Sequence, residues 1–182
     1  YRGYKVIAFS PVGRKKYMEI LFPYILKNRH MFDEYHLWVN TVNELDLVYM
    51  QEFAASYPDF VKLIEIDDDS PRNNKRIGQF FKTCVNDEKV IYMRFDDDIC
   101  FIDNDCVKNL LDFRIDNKQY CIVYANIINN AVCSHIHQRM GLIPNDLVIG
   151  YNCTDENGWK NHKVAAMIHT TFFDHIKNNT IQ

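Results

Sequence analysis

Residues 89–103, Lys-Val-Ile-Tyr-Met-Arg-Phe-Asp-Asp-Asp-Ile-Cys-Phe-Ile-Asp, constrain the fold more than any other stretch. Residues 90–95 are a short, mostly apolar, β-prone run preceded by the polar Asn86-Asp87-Glu88-Lys89, which predicts a strand buried inside a sheet. The run ends in three consecutive carboxylates, Asp96, Asp97 and Asp98. Alternate side chains of an extended chain share a face, so Asp96 and Asp98 are expected together with Arg94, and Asp97 on the opposite side. Two such carboxylates, roughly 7 Å apart along the backbone, can converge on one hard cation. Without a counter-charge they repel one another. Two partners are open: a structural ion pair with Arg94, or a divalent metal that also carries a substrate's phosphates.

With 182 residues, 47% apolar and 25% charged, the chain is expected to be one globular domain with a substantial core. A net charge of -3 argues against a nucleic-acid partner, which would call for a basic stripe. The six cysteines, Cys84, Cys100, Cys106, Cys121, Cys133 and Cys153, include no Cys-x-x-Cys pair, and several lie in apolar runs. They read as reduced thiols in a cytoplasmic protein. No transmembrane segment is expected, since no apolar stretch approaches the ~20 residues that span a bilayer.

Along the chain, residues 5–9 predict a strand, followed by the turn Ser10-Pro11-Val12-Gly13 and the basic run Arg14-Lys15-Lys16, which reads as a solvated helix start or, as the alternative, a contact to a diphosphate. Tyr17, Ile20, Leu21 and Tyr24 recur at helical spacing and predict a helix to about Asn28. Further strands are expected over 35–39 and 61–66, with a helix over 44–57 closed by Pro58. A third helix over 74–84 would turn Ile77, Phe80, Phe81 and Cys84 inward and Lys75, Arg76 and Gln79 outward. Beyond the carboxylates, the pattern predicts a helix over 103–113, a fifth strand over 120–128, a short helix over 134–140 and a further strand over 146–151. Residues 163–169 fit strand or helix, and 171–177 fit a helix.

Alternating strands and helices with short connections imply an α/β fold: an open, mostly parallel or mixed, central sheet flanked by helices. Ligands of such sheets bind beyond the carboxyl ends of the strands. Residues 10–15, 67–72 and 96–98, together with Asn40-Thr41, are therefore expected around one crevice.

These residues carry a family resemblance. The opening Phe9-Ser10-Pro11, the helical Asn74-Lys75-Arg76-Ile77-Gly78 and the run Tyr92-Met93-Arg94-Phe95-Asp96-Asp97-Asp98 resemble a nucleotide-sugar glycosyltransferase of the GT-A (Rossmann-like) fold with its Asp-x-Asp motif. The similarity covers roughly the first 130 residues by pattern. More loosely, the chain resembles the compact capsid-decorating glycosyltransferases encoded by large algal viruses, which would make the cytoplasm that of a host. The resemblance implies one such domain over residues 1–182, a nucleoside-diphosphate sugar donor, with UDP the carrier, and a glycan or glycoprotein acceptor. It implies that Asp96 and Asp98 hold Mn²⁺ or Mg²⁺, with Asp98 the more direct ligand. Ser10, Pro11 and Val12 would receive the base, Asp67 or Asp68 would touch base or ribose, and Asp97 would lie among the nucleotide contacts. Arg76 would reach the donor sugar or phosphate as the second catalytic residue beside Asp98, with Lys75 offsetting charge, and the acceptor would enter near residues 126–130.

Departures from the family pattern are visible as well. A third metal ligand near the C-terminus is matched only by His162 or His169, and an acceptor base only by Asp155 or Glu156, without a local motif. The base lies in residues outside 1–182, the chain then lacking a C-terminal portion, or the reaction retains configuration and uses none. His135-x-His137 reads as ordinary core or surface histidines, and Trp159 as core or an acceptor platform. Prenyl-diphosphate synthase chemistry needs Asp-Asp-x-x-Asp, and Cys100 occupies the last position. A calcium loop wants Gly where Phe101 stands. A sugar nucleotidyltransferase would need a Gly-rich loop after its first strand, and a non-catalytic sugar- or nucleotide-binding module would need no base at all.

Overall fold

The computed structural model describes residues 1–66 and 74–180. The chain forms two compact units, Tyr1–Gln119 and Tyr120–Gln182.

The first unit is an open, all-parallel, Rossmann-like sheet of four strands: β1 (Lys5–Val12), β2 (Glu34–Val39), β3 (Val61–Ile64) and β4 (Val90–Arg94), in the order β3-β2-β1-β4. The helices are α1 (Lys15–Lys27), α2 (Glu44–Ser56), α3 (Asn74–Phe80) and α4 (Cys106–Asp116). Alternation along β1 divides the core between the two faces of the sheet. Val6, Ala8 and Val12 pack with Leu37, with Met18, Leu21 and Phe22 of α1, and with Val107 and Leu111 of α4. Phe9 lies in the other cluster, with Trp38 and Phe80 of α3. Trp38 is stacked between Phe9 and Phe80, with ring centroids at 4.1 and 5.2 Å.

The strand β1 runs three residues past its expected end at Phe9, into the predicted turn. Ser10, Pro11 and Val12 are buried strand residues in register with Leu37, Trp38 and Val39. Proline is tolerated here for a geometric reason. The Phe9 carbonyl accepts from Phe95 N–H and the Val12 carbonyl from Asn40 N–H, so odd residues of β1 face β4. The β4 ladder ends at the Phe9–Arg94 pair, and Pro11 projects beyond it, where its missing N–H costs no ladder bond.

Glu34 opens β2 and gathers Lys5 at 2.6 Å, His36 at 2.7 Å and Lys62 at 3.0 Å. Burial pushes its carboxyl up, but the hydrogen bonds from these three neighbours outweigh it and hold the group at about 2.

The second unit contains α5 (Ala131–Arg139), a wide helical turn at Glu156–Lys160 and α6 (His162–Lys177), around Ile143, Ile149, Val164 and Ile168. Gln138 ties down the intervening loop by donating to the carbonyls of Pro144 and Leu147 and accepting from Ile149 N–H. Gly158 is required by close approach, because a Cβ there would stand 2.7 Å from that of Ala131. The strands expected over 120–128 and 146–151 are absent. Tyr120, Ile122 and Tyr124 are exposed in irregular backbone, since β-prone residues form a strand only against a partner, and among its described residues this unit has none. Residues 163–169 are helical, with Val164 and Ile168 buried one turn apart and Asn161 capping the N-terminus.

Removing the stacked indole, Trp38→Ala, is expected to cost the first unit about 4 kcal/mol in urea denaturation. Because the Glu34 carboxyl titrates lower in the fold than in the open chain, its contribution is present above about pH 4.5 and is lost as pH falls toward 2. Glu34→Gln is expected to flatten the acid limb of the stability profile across that window, read by thermal melts from pH 5 to pH 2.

Candidate functional site

Strand order reverses at β1: successive strands step outward to β2 and β3, and β4 then returns to the far side of β1. In open α/β sheets, this switch point is where a crevice opens beyond the carboxyl ends of the strands. Gly13 and Arg14 follow β1 there, and Asp96, Asp97 and Asp98 follow β4.

The three carboxylates occupy different environments. Asp97 is buried, only 7% exposed. It accepts from Gly13 N–H at 3.3 Å and Arg14 Nε at 3.2 Å, and its other oxygen accepts from Arg14 Nη2. The same Nη2 lies 3.0 Å from Oδ2 of Asp98, whose side chain is 51% exposed. Asp96, 57% exposed, takes both Nε and Nη2 of Arg94 on Oδ1, at 2.9 and 2.7 Å. The exposed–buried–exposed alternation follows the expectation for an extended chain, and the expected ion pair with Arg94 forms, though on Asp96 and not on Asp98. Arg94 pairs with Asp96 alone, and Arg14 joins Asp97 to Asp98. The backbone leaves the strand after Arg94, so strict two-residue facing no longer governs the acids.

Neighbouring loops hold this arrangement in place. Gly13 packs so closely on the loop after β2 that a Cβ would stand 3.2 Å from the Asn40 carbonyl oxygen. The first turn of α1 contains no acid of its own, and Asp46 of α2 supplies one by accepting from Lys15 N–H at 2.8 Å. Behind the site, the buried Tyr35 hydroxyl donates to Ser10 Oγ at 2.8 Å. Burial, chiefly, raises the Tyr35 phenol above its usual range, and the Asp97 charge adds to this. Hydrogen bonding to Asp97 is the main cause that raises Arg14, so the guanidinium stays charged.

The other expected residues are placed as follows. Ser10, Pro11 and Val12 are buried in β1 rather than exposed in a loop. Asp67 and Asp68 lie outside the described residues. Arg76, expected on the outward face of α3, is instead fully buried, with Nη2 donating to the Ile66 carbonyl and the guanidinium 5.9 Å from the Phe80 ring. Phe81, expected inward, is 48% exposed in the short turn after α3.

In the second unit, Asp155 accepts from Asn157 and Gly158 N–H, and the Gly158 bond is the largest cause of its lowered pKa. Glu156 is paired with Lys160 at 2.7 Å. His135 meets the Ile149 carbonyl at 2.6 Å and His137 meets Asn126 Oδ1 at 2.8 Å, so the two histidines serve separate structural bonds. His169 turns back onto the Ala165 carbonyl of its own helix.

Among the described residues, no group of three or more His, Cys, Asp and Glu side chains is arranged to hold a metal. A two-carboxylate site is a different case. Asp96 Oδ2 and Asp98 Oδ1 accept no hydrogen bond from a described residue. This donor set fits a hard cation that takes one or two carboxylates and completes its shell with phosphate and water.

Sequence reading missed Arg14 as the partner of the carboxylates. Its one signal was position, directly after the strand that neighbours β4. No family model, curated protein or solved structure matches the chain. No helix among the described residues is long and apolar enough to cross a membrane.

Because Asp97 is buried and Asp98 is not, their alanine variants are expected to separate in urea denaturation. Asp97→Ala leaves Gly13 N–H without its acceptor and Arg14 with Asp98 in place of two acids, and is expected to cost about 2 kcal/mol, discounted from a fully buried pair because Arg14 is half-exposed. Asp98→Ala is expected to stay within about 0.5 kcal/mol of the parent.

Proposed function

We propose that the chain is a metal-dependent glycosyltransferase that moves a sugar from a nucleoside-diphosphate sugar, with UDP the carrier, to a glycan or protein-linked acceptor. The observation that supports this reading best is the pair of half-exposed carboxylates, Asp96 and Asp98, each with an oxygen that accepts no hydrogen bond from a described residue, at the switch point of a parallel sheet. In this reading Asp96 and Asp98 hold Mn²⁺ or Mg²⁺. The ion, when bound, neutralises charge on the departing diphosphate.

The remaining roles belong to the chain itself. Asp97 is a positioning residue, because its buried carboxylate fixes Gly13 and Arg14 beside the exposed acids. Ser10, Pro11 and Val12 form the rigid floor under the base rather than a loop that wraps it. Arg76, buried and donating to the Ile66 carbonyl just beyond β3, keeps its proposed place on the phosphate side of the donor. Asp67 and Asp68 keep their proposed place on the base or ribose side.

A non-catalytic nucleotide- or sugar-binding module is the second reading. It is favoured by one specific observation: Asp155 is committed to the backbone N–H groups of Asn157 and Gly158, so this expected base is not held ready for an acceptor.

Calorimetric titration of UDP, GDP and CMP, each with and without Mn²⁺, tests the donor site in the parent and in Asp98→Asn. One nucleotide is expected to bind only with metal, and to lose at least about tenfold in affinity in the variant, the loss of one charged ligand. Binding of none, or equal binding by the variant, would sink the reading. Release of free nucleotide from the corresponding sugar nucleotide, with a panel of glycan acceptors, separates transferase from binding module.

A further inference from the structure

Arg14 serves two acids of unequal accessibility. Its fork is fixed on Asp97, which is buried, while its Nη2 also lies 3.0 Å from Asp98, which is half-exposed and within a ligand's reach. The guanidinium therefore already sits on the carboxylate that an incoming cation would use. Its backbone position is adverse to a cation, because Arg14 immediately precedes the first turn of α1, where the helix dipole disfavours positive charge, and Lys15 and Lys16 follow it. The Tyr17 ring 4.8 Å away offsets part of this, and the carboxylates of Asp97 and Asp98 supply the opposite charge.

We propose that Arg14 is the resident counter-cation of this site: it neutralises Asp98 in the ligand-free chain, competes with a divalent cation for that carboxylate, and is anchored throughout by Asp97. The competition rests on the metal site of the proposed function, and the identity of the second ligand, a nucleoside diphosphate, on its donor. A divalent cation on Asp98 brings two further positive charges against Arg14 and takes away one of its acceptors, which costs free energy. A diphosphate removes that cost, because its oxygens accept the guanidinium N–H groups that Asp98 gives up. Metal and nucleoside diphosphate are thus coupled through Arg14, each tightening the other, and metal alone is held weakly.

The test titrates Mn²⁺ alone into the full chain, followed by loss of the free-ion paramagnetic resonance signal, for the parent, Arg14→Ala and Arg14→Lys, and then repeats each titration with UDP. Arg14→Ala is expected to tighten Mn²⁺ alone about tenfold and to reduce the tightening caused by UDP by a similar factor, within the usual range of coupling between sites. Arg14→Lys keeps a charge for Asp97 but cannot span both carboxylates. It is expected to tighten Mn²⁺ to a smaller degree, and it keeps the test decisive where the alanine variant does not fold. Mn²⁺ affinity that is unchanged or weaker without the guanidinium, or no Mn²⁺ binding by any of the three proteins, overturns the proposal. An undiminished UDP effect in Arg14→Ala overturns the coupling. Tighter Mn²⁺ without Arg14, together with no effect of UDP, GDP or CMP on any protein, leaves the counter-cation in place and removes the donor-site reading.

Discussion

The ion pair between Arg14 and Asp97 is the interaction on which the rest of the site depends. A carboxylate that is only 7% exposed loses most of its hydration, and that loss is offset only where good hydrogen bonds replace the water. Asp97 has three, two from the Arg14 fork and one from Gly13 N–H. All three donors lie on the loop between β1 and α1, so the pair joins the carboxyl ends of two neighbouring parallel strands. Pairs between exposed groups elsewhere on the surface, such as Lys160 with Glu156, contribute little and position nothing.

The sheet beneath makes that joint rigid. β1 is central, with β2 and β4 on either side, and its side chains feed two separate apolar clusters on opposite faces. On one face the stack of Phe9, Trp38 and Phe80 ties β1 and β2 to α3. On the other, α1 and α4 pack on Val6, Ala8 and Val12, and α1 follows directly from Arg14. The loop that supplies the counter-charge is thereby anchored on both sides, by a buried strand and by a buried helical face. Gly13 completes it by allowing contact with Asn40 and Thr41 that any larger residue would hinder.

Much of this was legible in the sequence, because the governing signals are local. The strands around Phe9, Leu37, Leu63 and Tyr92, the helices between them, the parallel sheet and the meeting of the loops after β1, β2 and β4 all follow from periodicity and punctuation, while the loop over 67–72 lies outside the described residues. What stayed hidden depended on partners distant in sequence. Pro11 reads as a turn until the early end of the β4 ladder is known. The β-prone run from Tyr120 reads as a strand until its unit is seen to hold no described strand to pair with. Arg76 reads as an exposed helical cation, yet it is fully buried and spends an N–H on the Ile66 carbonyl. Within the site, the alternating exposure of Asp96, Asp97 and Asp98 could be read from strand geometry. The partner of Asp97 could not, since Arg14 lies 83 residues away.

Three identical residues in a row thus acquire three different roles from their surroundings, and the local charge balance says what the site can accept. Among the described residues, three carboxylates face two guanidinium groups, Arg94 on Asp96 and Arg14 on Asp97 and Asp98, so these pairs leave one negative charge over. In the proposed donor-site reading, a divalent cation overshoots that charge and leaves the cluster positive, and the diphosphate of a sugar nucleotide returns it to the balance it has when empty. The coupling proposed between the two ligands is therefore set by the count of arginines at the strand ends as much as by the acids.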